Sequence, residues 1–112
     1  MTPTELVQRQ VEAYNAHNLD AFAATYSDNI QMFRLPATEP AITNKAELIE
    51  FYGANRFKSA NLHAEILNRM ALGNKVVDHE RITGLPNSPF ECVVIYEVQN
   101  DLIQRVWSLW PQ

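Results

Sequence analysis

Between Thr4 and Tyr14, the positions Leu6, Val7, Gln10, Val11 and Tyr14 recur at helical spacing and share one face. Ahead of them Thr2-Pro3-Thr4-Glu5 reads as a capping box with proline at the first helical position. A first helix is therefore expected, broken at Asn15 to Asn18. A second, alanine-rich helix is expected over Leu19–Tyr26 and is closed by Ser27-Asp28-Asn29. Ile30–Leu35 reads as a short strand, followed by a loop holding Pro36 and Pro40. Asn44 then caps a third helix over Lys45–Phe57, with Ala46, Leu48, Ile49, Tyr52 and Phe57 as its apolar positions.

From residue 61 the period changes from helical to alternating. Leu62, Ala64, Ile66, Asn68, Met70 and Leu72 alternate with His63, Glu65, Leu67, Arg69 and Ala71. Gly73-Asn74 is a hairpin signal, Val76–Leu85 the return strand, and Leu85 to Pro89 a loop. Phe90–Val98 and Leu102–Trp110 complete the set, joined by a turn at Asn100-Asp101. Helices first and long antiparallel strands afterwards define an α+β fold and exclude a parallel doubly wound sheet. The last two strands are apolar on both faces. Phe90, Cys92, Val94, Tyr96 and Val98 lie opposite Val93 and Ile95, and Val106 and Trp110 lie opposite Ile103, Trp107 and Leu109. Three helices cover one face of such a sheet, so the other face calls for a partner, most simply a second copy of the chain.

Composition agrees with that demand. At 112 residues the chain is expected to be one domain spanning 1–112. Its 20% charged residues fall below the roughly 25% typical of soluble proteins, so part of its surface is expected to be apolar and covered. The net charge is −4, and no basic cluster offers a track for phosphates, which argues against nucleic acid. Cys92 is the only cysteine, so no intrachain disulfide forms and an inert buried thiol is expected. No leader-like segment and no apolar run near the ~20 residues of a membrane span is visible, which makes the cytoplasm the expected compartment. The three histidines have no metal-ligand spacing, and Gly53, Gly73 and Gly84 form no phosphate loop, so neither metal nor cofactor is implied.

Three segments carry a resemblance. Ala13-Tyr14-Asn15-Ala16-His17-Asn18-Leu19-Asp20-Ala21-Phe22, running on to Tyr26-Ser27-Asp28-Asn29-Ile30, resembles the opening of nuclear transport factor 2-like domains, in their SnoaL-like and ketosteroid isomerase-like branch. Thr38-Glu39-Pro40 with Asn44 to Tyr52, and the closing Ile103-Gln104-Arg105-Val106-Trp107, resemble the next loop and helix and the final strand of that branch. The resemblance implies a cone, with three N-terminal helices packed in a strongly curved, mainly antiparallel sheet around an apolar pocket. It also implies a homodimer paired through the outer sheet face, for which Val93, Ile95, Trp107 and Leu109 are the candidates.

The activity does not carry over with the fold. The tyrosine, the aspartate base and the second aspartate of ketosteroid isomerases fall on Gln10, Arg34 and near Val94, so none is retained. Of the Asp-Arg-Asp set of limonene epoxide hydrolases, the arginine matches Arg81, while the aspartates fall on Thr83 and Ser108. If Arg81 faces the pocket, His79 shares its face and is a candidate acid or base, with Arg81 holding an oxygen anion and Tyr14 donating a hydrogen bond. The plainer reading leaves His79 and Arg81 on a solvated strand and Tyr14 in the core. Gln10, Arg34, Tyr96, Thr83, Ser108 and Trp110 complete the expected lining, with Arg34 equally at home on the surface. The expected function is cofactor-independent isomerase, hydrolase or lyase chemistry on a small apolar or carbonyl-bearing molecule. A ligand-binding protein without catalysis, or an interaction module using the sheet face, are the alternatives.

Overall fold

A computed structural model describes residues 1–111. The elements run α1 (Pro3–Asn15), α2 (Leu19–Ala23), β1 (Tyr26–Arg34), α3 (Lys45–Asn55), β2 (His63–Leu72), β3 (Lys75–Thr83), β4 (Phe90–Gln99) and β5 (Leu102–Leu109). The five strands form one curved sheet in the order β1-β5-β4-β3-β2. Only β1 and β5 run parallel; the other neighbours are antiparallel. The fold is α+β, as the segregation of helical and alternating segments implies.

Capping fixes where α1 begins. The Thr2 hydroxyl accepts from the Glu5 amide at 3.1 Å, and the Glu5 carboxylate accepts from the Thr2 amide at 2.8 Å. The helix then lays Leu6, Val7, Gln10, Val11 and Tyr14 against the sheet. Phe22 of α2 is fully buried, with ring centroids of Tyr14, Tyr26, Tyr52 and Phe57 between 4.8 and 5.8 Å away. This ring cluster ties all three helices to β1.

Both short helices end earlier than periodicity suggests. α2 stops at Ala23 because the Thr25 hydroxyl donates to the Phe22 carbonyl at 2.7 Å and the Thr25 carbonyl accepts from the Ile103 amide at 2.9 Å. Tyr26 thus opens β1, and Ser27 to Asn29 interrupt a sheet ladder where a helix end was expected. α3 stops at Asn55, where the amides of Arg56 and Phe57 both donate to the Tyr52 carbonyl. That leaves Arg56 just outside the helix.

Register shifts bend the sheet at three places, between Tyr26 and Gln31 in β1, at Leu67 in β2 and at Gln104 in β5. Each changes which face the following residues occupy. Ile103, expected outside with Trp107 and Leu109, is fully buried, because the extra residue Gln104 lets Ile103 and Val106 both face the helices. The bulge at Leu67 likewise pairs Arg69 with the inward-facing Asp78. Gly84 is required where the chain leaves β3. Its φ is +84°, and an added Cβ would sit 2.0 Å from the Asn61 carbonyl oxygen.

Candidate functional site

Within the cone lies a cavity of about 90 Å³, walled by Gln10, Tyr14, Arg56, Glu80, Cys92, Tyr96 and Trp110 among others. A second hollow of about 240 Å³, between the end of β1, α3 and Trp110, shares six of its lining residues and adds Arg34 and Phe51. The two form an inner chamber and an outer vestibule, with Tyr52, Arg56 and Trp110 common to both.

Among the described residues the chamber is lined by one carboxyl group, Glu80 on β3. Its strand neighbours are Ile66 and Cys92, and the residue is only 7% exposed. Burial pushes the Glu80 carboxyl up to about 7. Asp78 beside it adds to the rise, while the Tyr96 hydrogen bond and the charges of Arg56 and Arg69 offset part of it. The Tyr96 hydroxyl donates to Glu80 Oε2 at 3.3 Å. Asp78, two residues away on the same face, is fully buried and held by Arg69 through Nε at 2.6 Å and Nη2 at 2.9 Å. Arg69 also donates to Gln8 of α1 at 2.8 Å. One inward carboxylate is thus locked in an ion pair, and the other stands free to exchange a proton.

On the facing helix, Gln10 and Tyr14 are one turn apart and both 5% exposed. Arg56 Nη1 donates to the Tyr14 hydroxyl oxygen at 3.3 Å. Burial raises the Tyr14 hydroxyl above its ordinary range, against the pull of Arg56, so the phenol stays protonated near neutral pH. With its oxygen accepting from a cation, the phenol O–H becomes a polarised donor. Gln10 Oε1 is buried without a partner among the described residues, so an acceptor is open to a donor from a ligand or water. Cys92 is buried, and burial together with Glu80 pushes its thiol up to about 12, well away from a reactive thiolate.

Of the residues expected from sequence to line the pocket, Gln10, Tyr14, Tyr96, Ser108 and Trp110 meet in the chamber. Arg34 lies in the vestibule, its guanidinium carbon 4.4 Å from the centre of the Trp110 ring. The indole is itself anchored, its Nε1 donating to Ser108 Oγ at 2.8 Å. His79, Arg81 and Thr83 occupy the opposite face of β3, which corrects their expected position. His79 Nε2 meets Glu91 at 2.6 Å, Arg81 meets Glu65 at 3.2 Å and Glu91 at 3.8 Å, and Thr83 lies beside the His63 carbonyl. None of the three lines the chamber. The reason is parity: Val76 and Ile82, 0% and 2% exposed, turn the even-numbered positions of β3 inward, and Glu80 goes with them. The apolar ends of the strand carried that signal. Arg56 had no comparable one, since the periodicity placed it inside α3.

No three His, Cys, Asp or Glu side chains among the described residues are grouped to hold a metal ion. The chamber thus brings together a carboxyl able to take or give a proton near neutral pH and a hydroxyl polarised by Arg56.

A curved α+β cone enclosing a small polar-tipped chamber defines the class of protein. The family model for the SnoaL-like domain matches residues 7–106, and the chain belongs to that family. No curated protein matches the sequence. Among solved structures, the chain is similar to a Δ5-3-ketosteroid isomerase from a Mycobacterium species, at 17% identity and TM-score 0.81 over 99% of this chain and 95% of that one. It is also similar to a cystatin-fold protein from Novosphingobium aromaticivorans, at 23% identity and TM-score 0.84 over 96% and 97%. A SnoaL-like protein from Burkholderia thailandensis matches at 17% identity and TM-score 0.81 over 97% and 94%. At these identities the likeness is one of fold.

Proposed function

We propose that this protein catalyses cofactor-independent proton transfer on a small carbonyl compound, an isomerase-type reaction or an elimination, with Glu80 as the proton-transferring group. The observation that carries this reading is the single buried carboxyl with a pKa of about 7 in a chamber shared with Tyr14, whose oxygen accepts from Arg56. In its carboxylate form Glu80 takes a proton from the carbon next to the carbonyl. Negative charge then develops on the carbonyl oxygen, which accepts from the Tyr14 hydroxyl. Protonated Glu80 returns the proton to a second carbon, or to the original one in simple exchange. A carboxyl titrating near neutrality serves both steps.

Such chemistry uses Glu80 in place of His79 and Arg81, keeps Tyr14 as donor, and needs no retained aspartate. Exchange of the ring protons next to the carbonyl of cyclohexanone, followed by NMR in deuterated water, tests it. Enzyme-dependent exchange that rises with pH through about 7 and is lost in Glu80→Gln is expected. Equal exchange in both proteins sinks the proposal, and binding of the ketone with no exchange in either leaves a ligand-binding protein.

The assembly we propose is a homodimer closed through Val93, Ile95, Trp107 and Leu109. Its support is an outer face where Leu109 is 45% exposed and Trp107 stacks on Phe33 with ring centroids 6.0 Å apart. Among the described residues no helix is long and apolar enough to cross a membrane. We propose the cytoplasm as the compartment, which the lone buried thiol fits.

A further inference from the structure

Two guanidinium groups line the vestibule, and neither has a carboxylate partner among the described residues. Of the other four arginines, three have an acid within 4 Å, Arg69 with Asp78, Arg81 with Glu65 and Glu91, and Arg105 with Glu97, while Arg9 lies exposed on α1. Arg56, half-buried, donates only to the neutral Tyr14 hydroxyl and otherwise lies about 6 Å from the ring centres of Tyr52, Phe90 and Trp110. Arg34 stands over the same Trp110 ring. A guanidinium has five N–H donors, so most of those on Arg56 have no protein acceptor. Ring faces hold a cation in place but accept little hydrogen bonding. In a chain of net charge −4, this pair makes a local positive site at the mouth of the chamber.

We infer that the vestibule recognises an anionic carboxylate on the substrate, so that short oxo acids are bound and turned over in preference to neutral ketones. The inference rests on the proton-transfer reading and narrows its substrate class. Glu80 at the far end repels a second carboxylate, which sets the direction of entry. The acid group stays with Arg34 and Arg56, and the oxo-bearing portion reaches Tyr14 and Glu80. Arg56 is common to both spaces, so the acid and the oxo group are expected only a few bonds apart. Planar carboxylates match the fork of an arginine, and charge-assisted contacts of this kind are the strong ones.

The test compares 4-oxopentanoate with its methyl ester, which keeps the oxo body and loses the charge. Affinities are read by isothermal titration at constant ionic strength on the wild type, Arg34→Gln, Arg56→Gln and Glu80→Gln. The acid is expected to bind at least about tenfold more tightly than the ester. Arg34→Gln, at an exposed position and so safe for folding, is expected to remove most of that preference, and Arg56→Gln the rest. Equal affinity for acid and ester, no binding of either, or a preference that survives in Arg34→Gln would each overturn the inference. Glu80→Gln is expected to keep the preference. If it does while the wild type shows no proton exchange, the chemistry proposed for Glu80 fails and the carboxylate site stands.

Discussion

The two faces of β3 carry nearly the same chemistry and put it to different uses. Outward, His79 and Arg81 share Glu65 and Glu91 in contacts open to water, where the side chains are 36% to 57% exposed. Inward, Asp78 and Glu80 are withdrawn from solvent, and one is locked by Arg69 while the other is left to titrate near 7. Alternation alone separates a screened surface network from a carboxyl withdrawn from water. Residue type says little about reactivity until its face is known.

The largest contrast should appear in stability. Asp78→Ala leaves the half-buried Arg69 with Gln8 as its remaining partner and is expected to cost about 3–4 kcal/mol, read by urea unfolding. Next comes turnover: Glu80→Gln is expected to slow cyclohexanone exchange about 10²- to 10⁴-fold with the fold intact by circular dichroism. Tyr14→Phe removes one donor to the developing oxyanion, and a loss of about a hundredfold in rate is expected; an unchanged rate would mean that the hydroxyl faces nothing that reacts.

A smaller effect concerns pH. Folding raises the Glu80 carboxyl from its ordinary 4.5 to about 7, so the native state holds a proton that the unfolded chain releases. Stability should therefore be greatest below about pH 4.5 as far as this group is concerned, and should fall as pH rises toward and through 7. The contribution is on the order of 3 kcal/mol. Glu80→Gln should flatten that slope in thermal melts taken between pH 5 and 8. Smallest of all, His79→Ala and Arg81→Ala should each shift stability by less than about 1 kcal/mol and leave exchange rates untouched. A large rate loss in either would reverse the assignment of the two faces.

The fold was legible wherever short-range rules act. The capping box at Thr2 and Glu5, the turn at Gly73, which has a φ of +59°, and the alternation of β4 all appear where the residues place them. The site was legible in part. Gln10, Tyr14, Tyr96, Ser108 and Trp110 follow from periodicity and resemblance and do meet in the chamber. The resemblance puts Arg81, and with it His79, in the pocket, but the apolar flanks Val76 and Ile82 mark the opposite face of β3 as the buried one. A carboxylate buried between such flanks breaks the usual inside-apolar rule, and that break was itself the pointer to Glu80. Bulges at Leu67 and Gln104 cannot be read from a two-residue period, so the inward turn of Arg69 and Ile103 could not be anticipated.

The chain has two tryptophans, and the sheet divides them. Trp107 stacks on Phe33 on the outer face, while Trp110 sits between chamber and vestibule beneath Arg34. Each is therefore a fluorophore reporting on one event. With Trp107 replaced by Phe, emission follows what enters the cone; with Trp110 replaced instead, it follows what covers the sheet. Filling of the cone and the pairing proposed for the sheet become separately visible by light in the same molecule.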